Sequence, residues 1–124
     1  MQAKLTSAKG KVLSFRQDGE FYFRSGLAKM EKNDFIGAMA SYRMALELEP
    51  QNIDAALGLA EALTAMNRPE ESNRFMLVHF RDRDTCPAEA YFGMGCNFMA
   101  LREYEQAIMS FDRYLELEPE GRFA

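Results

Sequence analysis

Apolar residues recur every three or four positions along most of this 124-residue chain. One such row consists of Phe35, Met39, Tyr42 and Leu46. Side chains at this spacing lie on one face of an α-helix. The rows, and the turn residues between them, predict six helices at about residues 19–32, 35–48, 54–66, 69–82, 88–101 and 104–117.

Three of these segments have a residue at their start that is typical of helix N-termini. Asp18 and Asp34 are placed to cap the first and second helices with their carboxylates. Pro69 occupies the first position of the fourth helix, where its missing N–H costs no hydrogen bond. Because short connections join such helices, the chain is expected to form antiparallel hairpins.

A longer pattern repeats along the chain. The motif LELEP occurs at residues 46–50 and again at residues 115–119, 69 positions later. The same shift aligns residues 20–30 with residues 89–99. Half of 69 is about 34, so a third, more degenerate copy is expected between them, and it begins at Ile53. The sequence therefore divides into a basic extension at residues 1–18, repeat units at residues 19–52, 53–87 and 88–121, and the start of a further helix at residues 122–124.

The units resemble tetratricopeptide repeats, whose period is 34 residues and whose physical unit is a helix–turn–helix hairpin. The second unit departs from the family pattern, because Asp84 stands where a terminal proline is usual. The resemblance implies an all-α fold, a right-handed α-solenoid of three antiparallel helix hairpins with an N-terminal extension. It rests on Tyr22, Gly26, Ala38, Tyr42, Ala45 and Pro50 in the first unit, and on Tyr91, Gly95, Phe98, Ala107, Phe111 and Pro119 in the third.

The residues that catalysis needs are scarce. The chain has one histidine and two cysteines, Cys86 and Cys96, and no phosphate-binding glycine loop or nucleophile elbow. We therefore expect no enzyme activity, no catalytic residue, no cofactor and no metal site. Without an apolar run of ~18 residues or a secretory signal, the expected location is the cytoplasm, with no membrane contact. The net charge of −4 disfavours nucleic acid, since phosphate binding needs a clustered basic face.

Members of this family bind peptides or helices along the concave face formed by the first helix of each hairpin. Carried onto this sequence, the resemblance implies a groove with an apolar floor and an acidic rim. Gly58 and Gly93 remove side chains from that floor and are expected to leave room for bulky groups of a partner. The implied groove residues are Glu20, Phe23, Arg24, Leu27, Met30, Asp54, Leu57, Gly58, Glu61, Thr64, Glu89, Phe92, Gly93, Cys96 and Met99.

One known binding mode of the family is not supported by these residues. Relatives that hold the acidic C-terminal tails of heat-shock chaperones use a clamp of Lys, Asn, Asn, Lys and Arg. The glutamate at the fourth clamp position would repel a terminal carboxylate. The groove is therefore expected to bind an apolar segment with basic flanks. The residues at the five clamp positions are Phe23, Leu27, Gly58, Glu89 and Gly93.

The N-terminal extension has the complementary character. Residues 1–18 contain four basic residues and Asp18, a net charge of +3, and the remaining residues carry −7. Within the extension, the motif KVLSF at residues 11–15 places three apolar residues among positive charges. One hypothesis is that this segment docks on the repeat array, in its own chain or in a neighbour's. The alternative is a basic leader that does not dock.

These features lead to one functional prediction with two alternatives. The chain is expected to be a protein–protein interaction module that binds an apolar, basic-flanked peptide or helix in its concave groove. The first alternative is a chaperone of the tetratricopeptide type that holds a hydrophobic segment of a client protein. The second is self-assembly, in which the groove receives the N-terminal segment of another subunit.

Overall fold

The chain forms six α-helices and no strand within residues 17–81 and 86–120, which are the residues that this computed structural model describes. The fold is therefore all-α, as the sequence predicts. Among the described residues, no helix is long and apolar enough to cross a membrane. The helices are α1 (Gly19–Glu31), α2 (Phe35–Leu48), α3 (Ile53–Ala65), α4 (Pro69–His79), α5 (Ala88–Ala100) and α6 (Tyr104–Leu117).

Five of the six helices agree with the sequence-based bounds to within one residue, but the predicted end of α4 is wrong. The prediction extends this helix to Asp82, whereas it ends at His79 with Phe80 as its C-cap. The last carbonyls of a helix carry partial negative charge, so carboxylates there are unfavourable and a basic group is favourable. Asp82 and Asp84 follow the helix, and His79 lies in its last turn.

The predicted caps are confirmed. The carboxylate of Asp18 accepts a hydrogen bond from the backbone N–H of Phe21 at 3.0 Å, and that of Asp34 accepts one from Gly37 at 3.0 Å. Pro69 is the first residue of α4, which has no side-chain cap. Each cap satisfies an N–H group that the first turn of a helix leaves without a partner.

The helices pack as three successive hairpins, and the packing sets the curvature. Each helix contacts the next one along the chain; in addition, α1 contacts α3 and α3 contacts α5. Within the described residues, no Cα atoms of α2 and α4 lie within 8 Å of each other, and the same holds for α4 and α6. The first helices of the hairpins are therefore closer together than the second ones. The array must curve with α1, α3 and α5 on its inner side.

The ring of Tyr42 joins the first hairpin to the second. Tyr42 is 1% exposed. A Cβ atom added to Gly26 of α1 would lie 2.5 Å from its Cε1 atom, and one added to Gly58 of α3 would lie 2.6 Å from its Cζ atom. The ring thus occupies the space that two missing side chains leave. In the third hairpin, Gly95 and Phe111 make the same approach at 2.6 Å.

Two apolar clusters run along the array. The first joins α2 to α3 and the second joins α3 to α4 and α5. Burial of these side chains is the main favourable contribution to packing, at roughly 25 cal/mol for each Å² of apolar surface. The buried members are Ala38, Met39, Tyr42, Ala45, Ala55, Leu59, Ala62 and Leu63 in the first cluster, and Ala56, Ala60, Met76, Phe80, Ala90 and Met94 in the second.

Several sequence predictions fall on residues that the structure does not describe. Of the extension at residues 1–18, only Gln17 and Asp18 are described. The further helix predicted to start at residues 122–124 also lies outside the described residues. The three hairpins lie inside the predicted repeat units, whose bounds stay a prediction.

We predict that Gly58→Ala destabilises the protein whereas Gly93→Ala does not. The new Cβ at position 58 would meet the enclosed Tyr42 ring, and overpacking of this kind costs about 1–3 kcal/mol in the free energy of unfolding. At position 93 the nearest atom, Cε of Met76, is 3.7 Å away, and alanine is favoured over glycine inside a helix by ~1 kcal/mol. Urea unfolding of both variants measures the difference. Equal stabilities would contradict the enclosed position of Tyr42.

Candidate functional site

A cavity of about 480 Å³ opens between α3 and α5, the inner helices of the second and third hairpins. It combines an apolar part, a polar end and two carboxylates. Seven of the fifteen groove residues implied by the sequence line it. The lining residues are Leu57, Ala60, Glu61, Thr64, Ser72, Met76, Glu89, Phe92, Gly93, Cys96 and Asn97.

Aromatic residues of α6 support the apolar part of the cavity. Phe92 is half-buried, and its ring centroid lies 5.7 Å from that of Phe111 and 5.4 Å from that of Tyr114, both on α6. Tyr114 is buried within the third hairpin. Phe92 therefore belongs partly to the core of the third hairpin and presents its remaining surface to the cavity. Leu57 is half-buried on the opposite helix, α3.

The polar end of the cavity is a hydrogen-bonded cluster that joins three helices. Asn97 of α5 donates from its amide nitrogen to Asn73 Oδ1 at 2.8 Å and to Ser72 Oγ at 3.1 Å. Its amide oxygen lies 2.9 Å from the hydroxyl of Thr64. Ser72 in turn donates to the backbone carbonyl of Ala60 at 2.8 Å. The cluster therefore ties α3, α4 and α5 together at one point.

Three members of this cluster are buried, so their hydrogen bonds affect the stability of the fold. Ser72, Asn73 and Asn97 are 0%, 4% and 2% exposed. A buried polar group without a partner costs about 1–3 kcal/mol, whereas a satisfied one is close to neutral or better. The sequence prediction did not include Asn97, Ser72 or Asn73. The sequence does contain a signal for Asn97: this asparagine occupies the repeat position that holds alanine in the other two units, Ala28 and Ala62.

Two acidic residues border the cavity. Glu61 is exposed on α3, and Glu89 lies in the first turn of α5. Glu61 also acts on the core beneath it: burial, and to a lesser degree this carboxylate, raises the pKa of Tyr42 above its ordinary value. The phenol of Tyr42 therefore stays neutral at physiological pH, and the negative potential at the cavity comes from the two carboxylates.

The structure contradicts the role predicted for Gly58. This glycine is buried against Tyr42 and does not line the cavity, so it leaves no room for a partner. Its missing side chain allows helix packing instead. Gly93 does line the cavity, next to Met76. A sequence cannot separate these two glycines, since both occupy the same position in their repeats.

The implied groove residues of the first hairpin lie outside the cavity. Phe23 and Met30 pack against the first apolar cluster. Glu20 and Arg24 form an exposed ion pair at 2.6 Å and, with Phe21, line a separate shallow cavity. The other implied residues outside the cavity are exposed and lie on the inner helices: Leu27, Asp54 and Met99.

Neither thiol is activated in this arrangement. Burial raises the pKa of the Cys96 thiol, and burial is also the largest cause of the raised pKa of the Cys86 thiol. Both groups are therefore protonated at neutral pH, and a protonated thiol is a poor nucleophile. Within residues 17–81 and 86–120, no group of His, Cys, Asp and Glu side chains is placed to hold a metal ion.

Comparison with known proteins identifies the family. The sequence model of the tetratricopeptide repeat matches residues 29–84 and residues 88–120. The chain belongs to the tetratricopeptide repeat family. Domains of this family are protein–protein interaction modules, which are typically not enzymes.

Relatives of known sequence include two longer proteins. The tetratricopeptide repeat-containing protein YvcD of Bacillus subtilis (strain 168) is 24% identical over 113 residues, which cover 91% of this chain and 23% of YvcD. The protein CTR9 homolog of Arabidopsis thaliana is 27% identical over 96 residues, or 77% of this chain and 9% of the relative. The chain thus spans less than a quarter of either relative.

Solved structures share the same architecture. A crystal structure of MamA protein is 28% identical, with a TM-score of 0.69 over 80% of this chain and 54% of MamA. The tetratricopeptide domain of Arabidopsis OM64 is 20% identical and has a TM-score of 0.76 over 86% of this chain and 87% of that domain. The first tetratricopeptide domain of Spaghetti (RPAP3), bound to the HSP90 peptide SRMEEVD, is 21% identical. Its TM-score is 0.75, over 86% of this chain and 83% of that chain.

We predict that Asn97→Ala destabilises the protein by about 1–3 kcal/mol, because the buried side chains of Asn73 and Ser72 each lose a hydrogen-bond partner. The neighbouring Cys96→Ala is the control, since Cys96 is exposed and is not a member of this cluster. Thermal and urea unfolding of both variants provide the measurement. Two variants of equal stability would show that the cluster does not hold the three helices.

Proposed function

We propose that this protein binds an apolar, basic-flanked segment of another protein in the cavity between α3 and α5. The observation that carries the proposal is the composition of this cavity. Leu57, Phe92 and Met76 offer apolar contacts, and Glu61 and Glu89 stand at its border. An apolar side chain that leaves water here would contribute ~1.5–3 kcal/mol, before the cost of ordering the ligand.

The charge of the inner helices supports a basic ligand. Each of α1, α3 and α5 has one acidic residue in its first turn: Glu20, Asp54 and Glu89. Glu20 forms an exposed ion pair with Arg24, and all three acidic residues lie on the inner helices. Lysine or arginine residues beside the apolar anchors would therefore be attracted to this face, and complementary charge increases both the rate of association and its specificity.

The neighbouring Spaghetti (RPAP3) domain provides an instructive contrast. Its bound peptide, SRMEEVD, carries three acidic residues. An array of this shape can therefore hold a linear segment, but the present chain has Glu89 and Gly93 at two of the positions where basic clamp residues would stand. We infer that the architecture is shared and that the preferred charge of the ligand is reversed.

A chaperone that shields a hydrophobic client segment is the second candidate. The chain contains nine methionines, and flexible thioether side chains adapt to ligands of varied shape. Met99 is 49% exposed on α5, and Met76 lines the cavity. A chaperone of this kind would keep an aggregation-prone client in solution, whereas an interaction module would bind and release the tail of a folded partner.

We expect a synthetic peptide with the sequence of residues 8–16, AKGKVLSFR, to bind the protein with a dissociation constant on the order of micromolar. Leu57→Glu should abolish this binding by placing a charge on the apolar wall, and Glu61→Lys should weaken it roughly three- to tenfold by charge repulsion. Fluorescence anisotropy of the labelled peptide gives both values. The acidic peptide SRMEEVD serves as the opposite-charge ligand and should not bind.

The control for the charge reversal is Glu105→Lys, which makes the same change on exposed α6, away from the cavity. It should leave the affinity for the basic peptide close to that of the unchanged protein. Tight binding of the acidic peptide, or equal losses in Glu61→Lys and Glu105→Lys, would contradict the proposed site.

Self-assembly through the N-terminal segment is the third candidate and has its own test. If residues 1–16 occupy the cavity of a neighbour, removing them should reduce the number of subunits per particle, measured as molecular mass by light scattering. It should also lower the melting temperature. The deletion ends before Asp18, because this residue caps α1. If the shortened protein keeps the same number of subunits and the same melting temperature, this segment does not dock, either within its own chain or on a neighbour.

A further inference from the structure

The polar end of the cavity between α3 and α5 is peculiar to this junction of the array. Thr64, Ser72 and Asn97 meet there within hydrogen-bond distance of one another. The shared packing of the repeats does not require these hydroxyl and amide groups. One repeat earlier, at the junction of α1, α2 and α3, the equivalent residues are all apolar: Met30, Ala38 and Ala62.

Two backbone carbonyls fix the direction of the hydrogen bonds in this cluster, because a carbonyl oxygen can only accept. Ser72 donates its one hydroxyl hydrogen to the carbonyl of Ala60 at 2.8 Å. The amide nitrogen of Asn73 faces the carbonyl of Met94 at 3.5 Å. The amide oxygen of Asn73 therefore accepts from Asn97, and the amide nitrogen of Asn97 must point toward it, at 2.8 Å.

The same accounting leaves Thr64 with an acceptor that faces the cavity. Its Oγ1 atom lies 2.9 Å from Oδ1 of Asn97 and 3.0 Å from Oγ of Ser72. Both of these atoms are acceptors for Thr64, because an amide oxygen has no hydrogen and the hydrogen of Ser72 is used at Ala60. The single hydroxyl hydrogen of Thr64 therefore points into the cluster. Thr64 is exposed and lines the cavity, so its oxygen lone pairs are available to a ligand there.

The other polar side chains of the cavity are also mainly acceptors. Glu61 precedes Thr64 by three positions on α3, so the two side chains are neighbours on the helix surface. An ionised carboxylate, as in Glu61 and Glu89, accepts hydrogen bonds and donates none. The thiol of Cys96 is only a weak donor. A ligand group that enters this end of the cavity must therefore supply the hydrogens itself.

A lysine ammonium group has the complementary chemistry, since it carries three N–H donors, no acceptor and a positive charge. We propose that the polar end of the cavity is a subsite for a lysine of the bound segment. Its ammonium group donates to the hydroxyl oxygen of Thr64 and to the carboxylate of Glu61. This subsite rests on the binding role proposed for the cavity and adds a requirement for N–H donors to the requirement for positive charge.

The position of the subsite defines the spacing of the ligand. Leu57 stands seven residues before Thr64 on α3, which is about 10 Å along the helix axis. The ligand would place an apolar group beside Leu57 and Phe92 and its ammonium group about 10 Å further along α3. Phe92 is the single aromatic residue among the described residues that line the cavity. The aromatic faces that hold quaternary ammonium groups are therefore lacking beside Thr64, and N–H donation has to provide the recognition.

Lysine trimethylation separates the two requirements, because trimethyl-lysine keeps the positive charge and has no N–H donor. The peptide AKGKVLSFR, labelled at its N-terminus, is prepared with trimethyl-lysine at its first or its second lysine. We expect one of these forms to bind the 124-residue protein roughly three- to tenfold more weakly than the unmodified peptide in fluorescence anisotropy.

Variants of the subsite show whether Thr64 is the acceptor. Thr64→Val should abolish the preference for the unmodified peptide, and Thr64→Ser, which keeps the hydroxyl group, should retain it. A merely structural role of Thr64 would change the affinity for both peptides by the same factor. Glu61→Ala, at an exposed position, should reduce the preference without depending on the buried cluster.

A small amine tests the subsite without the peptide. Hexylammonium carries an apolar chain and an ammonium group, and trimethylhexylammonium is its counterpart without N–H donors. In NMR titrations of the 124-residue protein, hexylammonium should shift the resonances of Thr64 and Phe92. The trimethylated compound should leave those of Thr64 unchanged.

The outcomes distinguish this subsite from the binding role of the cavity. If Leu57→Glu abolishes peptide binding but both trimethylated peptides bind as well as the unmodified one, the subsite is overturned and the proposed function stands. If hexylammonium shifts Thr64 and the peptide does not bind, the subsite is supported and peptide binding in the cavity is contradicted. Tighter binding of a trimethylated form would place the cation on Phe92 and overturn the subsite. Binding of neither the peptide nor hexylammonium overturns both.

Discussion

The fold depends on the close approach of helices at a few glycine positions. Tyr42 fills the space beside Gly26 and Gly58, and Phe111 fills the space beside Gly95. Because an aromatic ring replaces the missing side chains, helix axes come close without leaving a void, which interiors of native density do not tolerate. This contact sets the spacing of the first two hairpins. The inner helices then touch one another, and the inner face of the array follows from that spacing.

Much of this architecture could be predicted from the sequence, because its causes are local and repeated. The caps at Asp18 and Asp34 act within four residues, and the helical rows are visible in a single segment. The 69-residue shift identifies the hairpins, since copies of one unit must bury equivalent faces. The end of α4 was harder to locate. It depends on a balance between continuing apolar spacing and unfavourable carboxylates, and no single residue marks it.

The candidate site was less accessible to prediction, because it depends on which side of a helix each residue faces. Gly58 and Gly93 occupy equivalent positions, yet only Gly93 lines the cavity, since the outer helix in front of it carries Met76 and the one in front of Gly58 carries Tyr42. Asn97 could be recognised as unusual only by comparing the repeats. Its partners Ser72 and Asn73 lie more than twenty positions away, so only the folded chain brings them together.

The polar cluster and the cavity are two consequences of one packing solution. Between α2 and α3 the junction is apolar and closed, whereas at the junction of α3, α4 and α5 the hydrogen bonds of Asn97 replace part of the apolar contact. Hydrogen bonds fix the distance and direction between helices more narrowly than apolar contacts do. The cavity that Leu57 and Phe92 line lies beside this hydrogen-bonded junction, whose geometry fixes the relative placement of α3 and α5. A preformed cavity lowers the ordering cost of binding, because only the incoming segment must lose conformational freedom.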